Sequence, residues 1–587
     1  MIKMNFKDNK MDIISIILIL IISTSILTYL LSIDMKIGVY YIHDVYSYLN
    51  NGLYFAGLSS SSKNHGLSPV IPFLCSIVFK AGYVSDKVIL IISGLFYIIT
   101  GLSFYGLLRL KFKELLSFTG TIILLCFPIN LAWASKGMLD IPGLAMSILA
   151  IYLIALGLYK NPKYYFLAFP VLILGFFTRY TVILTFPAMI MLILFTGNPL
   201  NYINRHLGKL IKGLLSGLAT LIAILGIYKL QNIPFFFISQ SSSISATSNP
   251  GAHTQAVTTS TAAATTNNLW YYINNIPLYL GTQKWIPYSF KPGAFNFKKM
   301  IWLGNTPSII SCIFMVIILI GIILYISQIL NKTNKRKISK NKNKFYYLKI
   351  ILFIIPLIVF FISFTKVSLY ASIALVSLSI FALFRLVRKA DLKYMAIDFM
   401  FFYWGIVNII FYTYHIIKTD RYAITFTPLL AYMVILGLSL IYKKLEHIES
   451  KNLLSKIKII IPIVLIIGSL GFTGYCFAVN TPHTFDNQNP QNILYASQDQ
   501  KDVCAWLIEN DSSYLNKTIW ADDWSGVSFE LKRDVNKTDN LRNQSNFTQI
   551  LKANNVSYYF AEGRNKNIED GYYIIKEKNN CTLYKID

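Results

Sequence analysis

The chain has 587 residues, of which 55% are hydrophobic and only 14% charged, with a formal net charge of +27. Such a balance excludes an ordinary soluble protein, and repeated uncharged runs of about 17–25 residues match the apolar thickness of a bilayer. The positive charge points away from nucleic acid as well, because residues 481–587 carry 12 basic and 15 acidic residues, and the remaining basic residues cluster in short loops between apolar runs.

Thirteen apolar spans are predicted in chain order: 12–32, 86–108, 115–134, 141–159, 164–178, 180–196, 210–229, 301–330, 348–365, 367–384, 394–416, 423–442 and 459–479. The expected fold class is therefore a polytopic α-helical membrane protein, multi-pass in the cell membrane, with residues 1–479 as its membrane domain. Lys3, Lys7 and Lys10 precede the first span, and every second loop thereafter is basic, as in Arg109-Leu-Lys111-Phe-Lys113 and the run from Lys332 to Lys349. Basic residues in short loops stay cytoplasmic, so the N-terminus is expected inside and residues 480–587 outside. The first span lacks a small-residue cleavage site and reads as a retained helix.

The first external loop, residues 33–85, contains the apolar stretch Ser68 to Tyr83, short for a span and interrupted by Pro69 and Pro72, and is expected to lie along the membrane surface. The second, residues 230–300, has a Ser/Thr/Ala-rich run from Ser239 to Asn268, expected to lack order, followed by the aromatic stretches Trp270-Tyr271-Tyr272 and Trp285 to Tyr288, expected at the interface. Beyond residue 480 the pattern alternates. Helical periodicity over Gln498–Glu509 and Phe547–Ala553, and strand patterning over Thr518–Ala521, Val556–Ala561, Tyr572–Lys576 and Thr582–Ile586, predict a small extracytoplasmic α/β domain. Cys504 and Cys581 stand alone there and are expected to form a disulfide in an oxidising compartment. Seven Asn-X-Ser/Thr sites also fall in this segment.

Of 27 acids, 15 lie after residue 480, so those among the spans are few. Threading places Asp34, Asp44, Asp86, Asp140 and Asp420 at the external face. Asp44, in Tyr41-Ile-His-Asp44-Val-Tyr46-Ser-Tyr48, is a candidate general base if its aromatic neighbours desolvate it; the alternative is a solvated loop acid. Asp140, just before Pro142, either caps the following helix or serves the chemistry. Lys136, Arg179, Lys366, Lys418 and Arg421 reach the same face, and Arg179 interrupts two apolar spans, an expensive place for a charge without a partner or task. Cations converging beside a bilayer suit a lipid-linked phosphate.

Asp44 in the first external loop, Lys136…Asp140 after the third span, the short paired helices around Thr178-Arg179-Tyr180, and Asp420-Arg421-Tyr422…Pro428 together resemble the GT-C membrane glycosyltransferases, most nearly the protein O-mannosyltransferase and aminoarabinose-transferase branch, over roughly residues 10–480. Val45 stands where that branch often has a second acid. The resemblance implies transfer of a sugar from a polyprenyl or dolichyl phosphate to a hydroxyl acceptor on protein, glycan or lipid. Asp44 and Asp140 would be the catalytic acids, Lys136, Arg179 and Arg421 the phosphate ligands, and Tyr180, Lys366 and Tyr422 accessory residues. Two external acids could also ligate Mg²⁺ or Mn²⁺. The rival expectations are an oligosaccharyltransferase, whose outer-domain motif is approached only by Trp520-Ala-Asp522-Asp523-Trp524, here expected to be a strand-to-helix cap, and a transporter or flippase of lipid-linked sugars, which should hold ionisable pairs in mid-membrane. Asp398 is the main acid of that kind.

Overall fold

The computed structural model describes the chain except residues 1–5, 38, 40–41, 60–66, 197, 231–268, 283–293, 297–300, 304–305, 336–343, 365, 389–393, 416–417, 447–450, 481–489, 569–572 and 587. The Ser239–Asn268 run and Trp285–Tyr288 thus lie outside the described residues. Each of the thirteen predicted spans overlaps a helix, although the 301–330 span opens on the strand Ile301–Leu303 and its helix starts at Ile309. Among the described residues nine helices are long and apolar enough to cross a membrane, from Lys10–Lys36 to Leu453–Ala478, and shorter apolar helices accompany them. The chain is a multi-pass membrane protein. On Ile309–Lys335, Ile313, Val316, Leu319 and Ile323 stand exposed, an outward apolar face that only lipid would satisfy.

Two spans are broken, and each break has a local cause. The 115–134 span divides into Glu114–Leu125 and Pro128–Trp133 because Pro128 has no N–H to continue the ladder. The Asn130 side-chain amide donates 2.8 Å to the Leu124 carbonyl at the break. Further on, Tyr165–Thr178 ends at Arg179, whose backbone is extended (φ −156°), and a 3₁₀ turn at Tyr180–Leu184 leads into Thr185–Leu194. The break sets a guanidinium at the helix ends.

The loop expected to be the first external one contains two helices, Ile42–Ala56 and Val70–Lys80, packed on each other. From residue 490 the chain builds a five-stranded sheet in the order Asn536–Lys537, Ile519–Ala521, Tyr558–Glu562, Cys581–Lys585, Tyr573–Lys578, the first two pairings parallel and the rest antiparallel. Alternation along the strands sends Ile519, Ala521 and Phe560 into one apolar layer with Val503 and Leu507, and Trp520 and Tyr559 into the other with Phe547 and Leu551. The predicted helices and strands are all present, and the helix that the strand-to-helix cap implied runs over Trp524–Leu531. Asp523 caps that helix, accepting from the Gly526 N–H at 3.3 Å, as expected of the Trp520–Trp524 motif. The expected Cys504–Cys581 disulfide is not formed in this structure. Both are buried free thiols in one apolar layer, where burial pushes them up, Cys581 to about 12.

This unit, the outer one in the expected topology, is joined to the membrane unit through the Ile42–Ala56 helix. Asn50 donates 2.9 Å to the Ser525 carbonyl, Tyr46 donates 3.2 Å to Asp86, and Lys501 pairs with the same Asp86 at 2.8 Å. Asp34 and Asp86, by position ordinary boundary acids, are both buried and paired.

Candidate active site

Four helix ends meet at one end of the bundle. The break after Thr178 supplies Arg179, the start of Asp140–Tyr159 supplies Asp140, the 3₁₀ turn Asp420–Phe426 supplies Arg421 and Tyr422, and the first-loop helix supplies Asp44 and Tyr48. Tyr48, Arg179, Arg421 and Tyr422 line a cavity of about 180 Å³ together with, among others, Tyr180, Thr181 and His415, while Asp44 and Asp140 are not in its lining and reach it only through the arginines they face.

The charges come in crossed pairs. Arg179 Nη1 lies 2.6 Å from Asp140 Oδ1, and Arg421 Nη1 lies 3.3 Å from Asp44 Oδ2. Both guanidiniums sit over the Tyr422 ring, at 5.7 and 5.5 Å from its centroid, and Tyr422 in turn stacks on Tyr412 at 4.7 Å. The Arg179 Nε donates 3.1 Å to Thr181 Oγ1, which fixes the plane of the fork. Burial and the nearby Asp44 raise the Tyr48 phenol above its ordinary range, while Arg421 and Arg179 pull the other way.

The two acids differ in setting. Asp140 is fully buried; it does not cap its helix, whose N-cap is Leu139, and neither carboxylate oxygen receives an aligned hydrogen bond, so its link to Arg179 is a charge contact. Asp44, for which the sequence left a desolvated base and a solvated loop acid both open, has a side chain 42% exposed. It is reachable by an incoming group, with Arg421 beside it.

Other cations expected here are engaged elsewhere. Lys136, expected beside Asp140 as a phosphate ligand, is paired with Asp34, which also accepts from Ser135. Lys418 donates to the carbonyls of Tyr412, Thr413 and His415, closing the C-terminal end of Met395–Tyr414, and burial lowers it to about 8. Lys366 is exposed at a turn and is not among the lining residues. Asp420 turns away from its neighbour Arg421 to accept from Tyr271 at 2.6 Å and Tyr279 at 3.4 Å, so the Tyr271-Tyr272 stretch expected at the interface is packed inward. His415, Thr181 and Tyr412 line the cavity without having been singled out from sequence. Of the two acids expected to be able to ligate Mg²⁺ or Mn²⁺, each faces a guanidinium, and no group of three His, Cys, Asp or Glu residues able to hold a metal occurs among the described residues.

Residues 64–225 match the family model described as dolichyl-phosphate-mannose-protein mannosyltransferase, a stretch that includes Lys136, Asp140 and Arg179. Among solved structures, ArnT from Cupriavidus metallidurans bound to undecaprenyl phosphate aligns over 97% of this chain and 97% of its own, with a TM-score of 0.50 at 10% identity. The fold is that of the GT-C glycosyltransferases. The apo form of the same ArnT gives a TM-score of 0.48 at 9% identity, again over 97% of both chains. The oligosaccharyltransferase of Archaeoglobus fulgidus gives 0.43 at 10% identity, over 92% of this chain and 68% of its own. No curated protein matches in sequence. The GT-C resemblance drawn from scattered residues is thus met by the partial family match and by the fold.

Proposed function

We propose that this chain is a membrane glycosyltransferase that moves a sugar from a polyprenyl or dolichyl phosphate to a hydroxyl acceptor at the external face, with the N-terminus cytoplasmic and residues 480–587 outside. The observation that carries this reading is the convergence of Arg179 and Arg421 on one cavity, each held by an acid and both stacked on Tyr422. Two guanidiniums fixed in this way match a phosphate group through paired hydrogen bonds. The undecaprenyl phosphate named with the C. metallidurans protein of the same fold supports a donor of that class.

The charge pairs suggest how one displacement would run. The acceptor oxygen attacks the anomeric carbon, the bond from that carbon to the phosphate oxygen breaks, and the acceptor proton passes to Asp44. As Asp44 becomes neutral it releases Arg421, just as the departing phosphate gains a negative charge for Arg421 to meet. Asp140, buried and out of reach, holds Arg179 in place. A general base contributes typically about 10²–10⁴-fold, so positioning and phosphate stabilisation supply the rest.

The test is transfer of radiolabelled sugar from a polyprenyl-phosphate donor by the purified protein in liposomes. Wild type is expected to form glycosylated product, and Arg179→Ala and Asp44→Asn each to abolish it while expression persists. Movement of donor between leaflets without product would favour a flippase, and near wild-type turnover in either variant would remove the mechanism.

A further inference from the structure

A second cavity, of about 290 Å³, lies where the first-loop helix meets the outer unit, lined by residues of both. Its wall holds the carboxylates of Asp523, Glu530 and Glu562, the amides of Gln500 and Asn580, and the Tyr46 ring. Lys501 also lines it, but its ammonium is matched by Asp86 at 2.8 Å, and Arg542, 3.9 Å from Glu562, is matched by Asp522 at 2.7 Å, so Asp523 and Glu562 leave the lining negative. The reaction cavity on the other side of the same helix is built around two arginines. A helix turns 100° per residue, so Asp44 and Tyr48 face the arginines while Tyr46 and Asn50 face the outer unit. The two cavities therefore suit different ligands. A lipid phosphate is repelled from the negative one, whereas hydroxyl groups can donate to its carboxylates and exchange paired hydrogen bonds with its amides, against an aromatic ring.

The lining is held ready. Asp499 accepts from the Asn580 N–H and side-chain amide, each at 3.2 Å. Tyr46 is fixed by its hydrogen bond to Asp86 and by Phe529 at 5.6 Å between ring centroids. The volume is at the lower end of ligand pockets, about 300–1,000 Å³, which suits one sugar ring rather than an extended chain. We propose that this cavity binds a neutral sugar residue of the acceptor, away from the hydroxyl that reacts. The proposal deepens the glycosyltransferase reading and rests on it for the word acceptor, but the binding itself can be measured without turnover.

The probes are methyl α-mannoside, methyl β-glucoside and methyl β-galactoside, titrated onto the full-length protein in nanodiscs by saturation-transfer NMR, with spermidine as a cationic control. At least one glycoside is expected to bind saturably in the millimolar range. Gln500→Ala with Glu530→Gln should weaken it at least about fivefold, and Arg179→Ala should leave it unchanged. If the paired variant lowers the melting temperature, Glu562→Gln, at an exposed position, replaces it and is expected to weaken binding about twofold or more. No saturable glycoside binding, binding of spermidine alone, unchanged affinity in the cavity variants, or loss in Arg179→Ala would each overturn the assignment. Glycoside binding without sugar transfer would keep the cavity and sink the glycosyltransferase reading, whereas transfer without glycoside binding would do the reverse.

Discussion

At Gly143 an added Cβ would stand 2.9 Å from Cδ and 3.0 Å from Cβ of Arg179, so it is the missing side chain that lets the arginine lie across the Asp140 helix. Gly143→Ala is expected to move the guanidinium by a few tenths of an ångström or more and to lower sugar transfer at least about tenfold, since small misplacements at a reacting centre can cost about 10². Expression and melting temperature should be unchanged; wild-type turnover would show that the guanidinium tolerates the shift. Arg179→Lys should also fail to restore activity, because an ammonium cannot reproduce the planar fork that Thr181 orients. At this scale sequence named Asp44, Asp140, Arg179 and Arg421, because charges among apolar residues are conspicuous. It could not pair them: Lys136 is four residues from Asp140 yet holds Asp34, and Arg421 reaches back across the chain to Asp44.

Among the elements, the Ile42–Ala56 helix decides most. One face carries Asp44 and Tyr48 toward the arginines, and the other is held by Asn50 to the Ser525 carbonyl and by Tyr46 and Phe79 against Phe529. Phe529→Ala is expected to loosen this helix, lowering transfer more than it lowers lipid-phosphate binding; turnover equal to wild type would mean that the outer unit does not position Asp44. The outer unit itself should respond to pH. Burial, with Asp86 nearby and Lys501 opposing, raises Glu530 from its ordinary 4.5 to about 7. The folded state thus holds a proton that the unfolded state has lost between these values, so stability falls as pH rises from about 4.5 to about 7. Thermal unfolding across that window should show the fall in wild type and a flatter profile in Glu530→Gln. The strands and helices of this unit were legible from alternation and periodicity, and Asp523 as a cap from its place after a strand. That cap implied a helix after it, but the extent of Trp524–Leu531 was not legible, since eight residues are too few to show a helical period.

Across the whole molecule, titratable clusters sit at both ends of the bundle. Away from the arginine cavity, Asp12 accepts from Arg109 and Tyr105, and Asp398 accepts from Lys111, Tyr432 and, at 3.0 Å, Tyr325. Asp398, the acid that most favoured a transporter, is thereby fully engaged by three other elements. Lys111→Met should leave its carboxylate buried without its cation and destabilise the protein by roughly 3–5 kcal/mol, read as a lowered melting temperature in detergent, with Lys111→Met/Asp398→Leu recovering much of the loss. An undiminished melting temperature in the single variant would show the pair to be solvated. Sequence by itself determined the membrane class, the positions of most helices, the C-terminal α/β unit and the short roster of charges, because hydrophobicity and periodicity are local and a charge in an apolar run is costly wherever it folds. Only the tertiary structure decided which charges meet, that Asp44 is exposed while Asp140 is buried, and that a second cavity opens behind Tyr46. Those depend on contacts between residues hundreds of positions apart, and no local pattern records them.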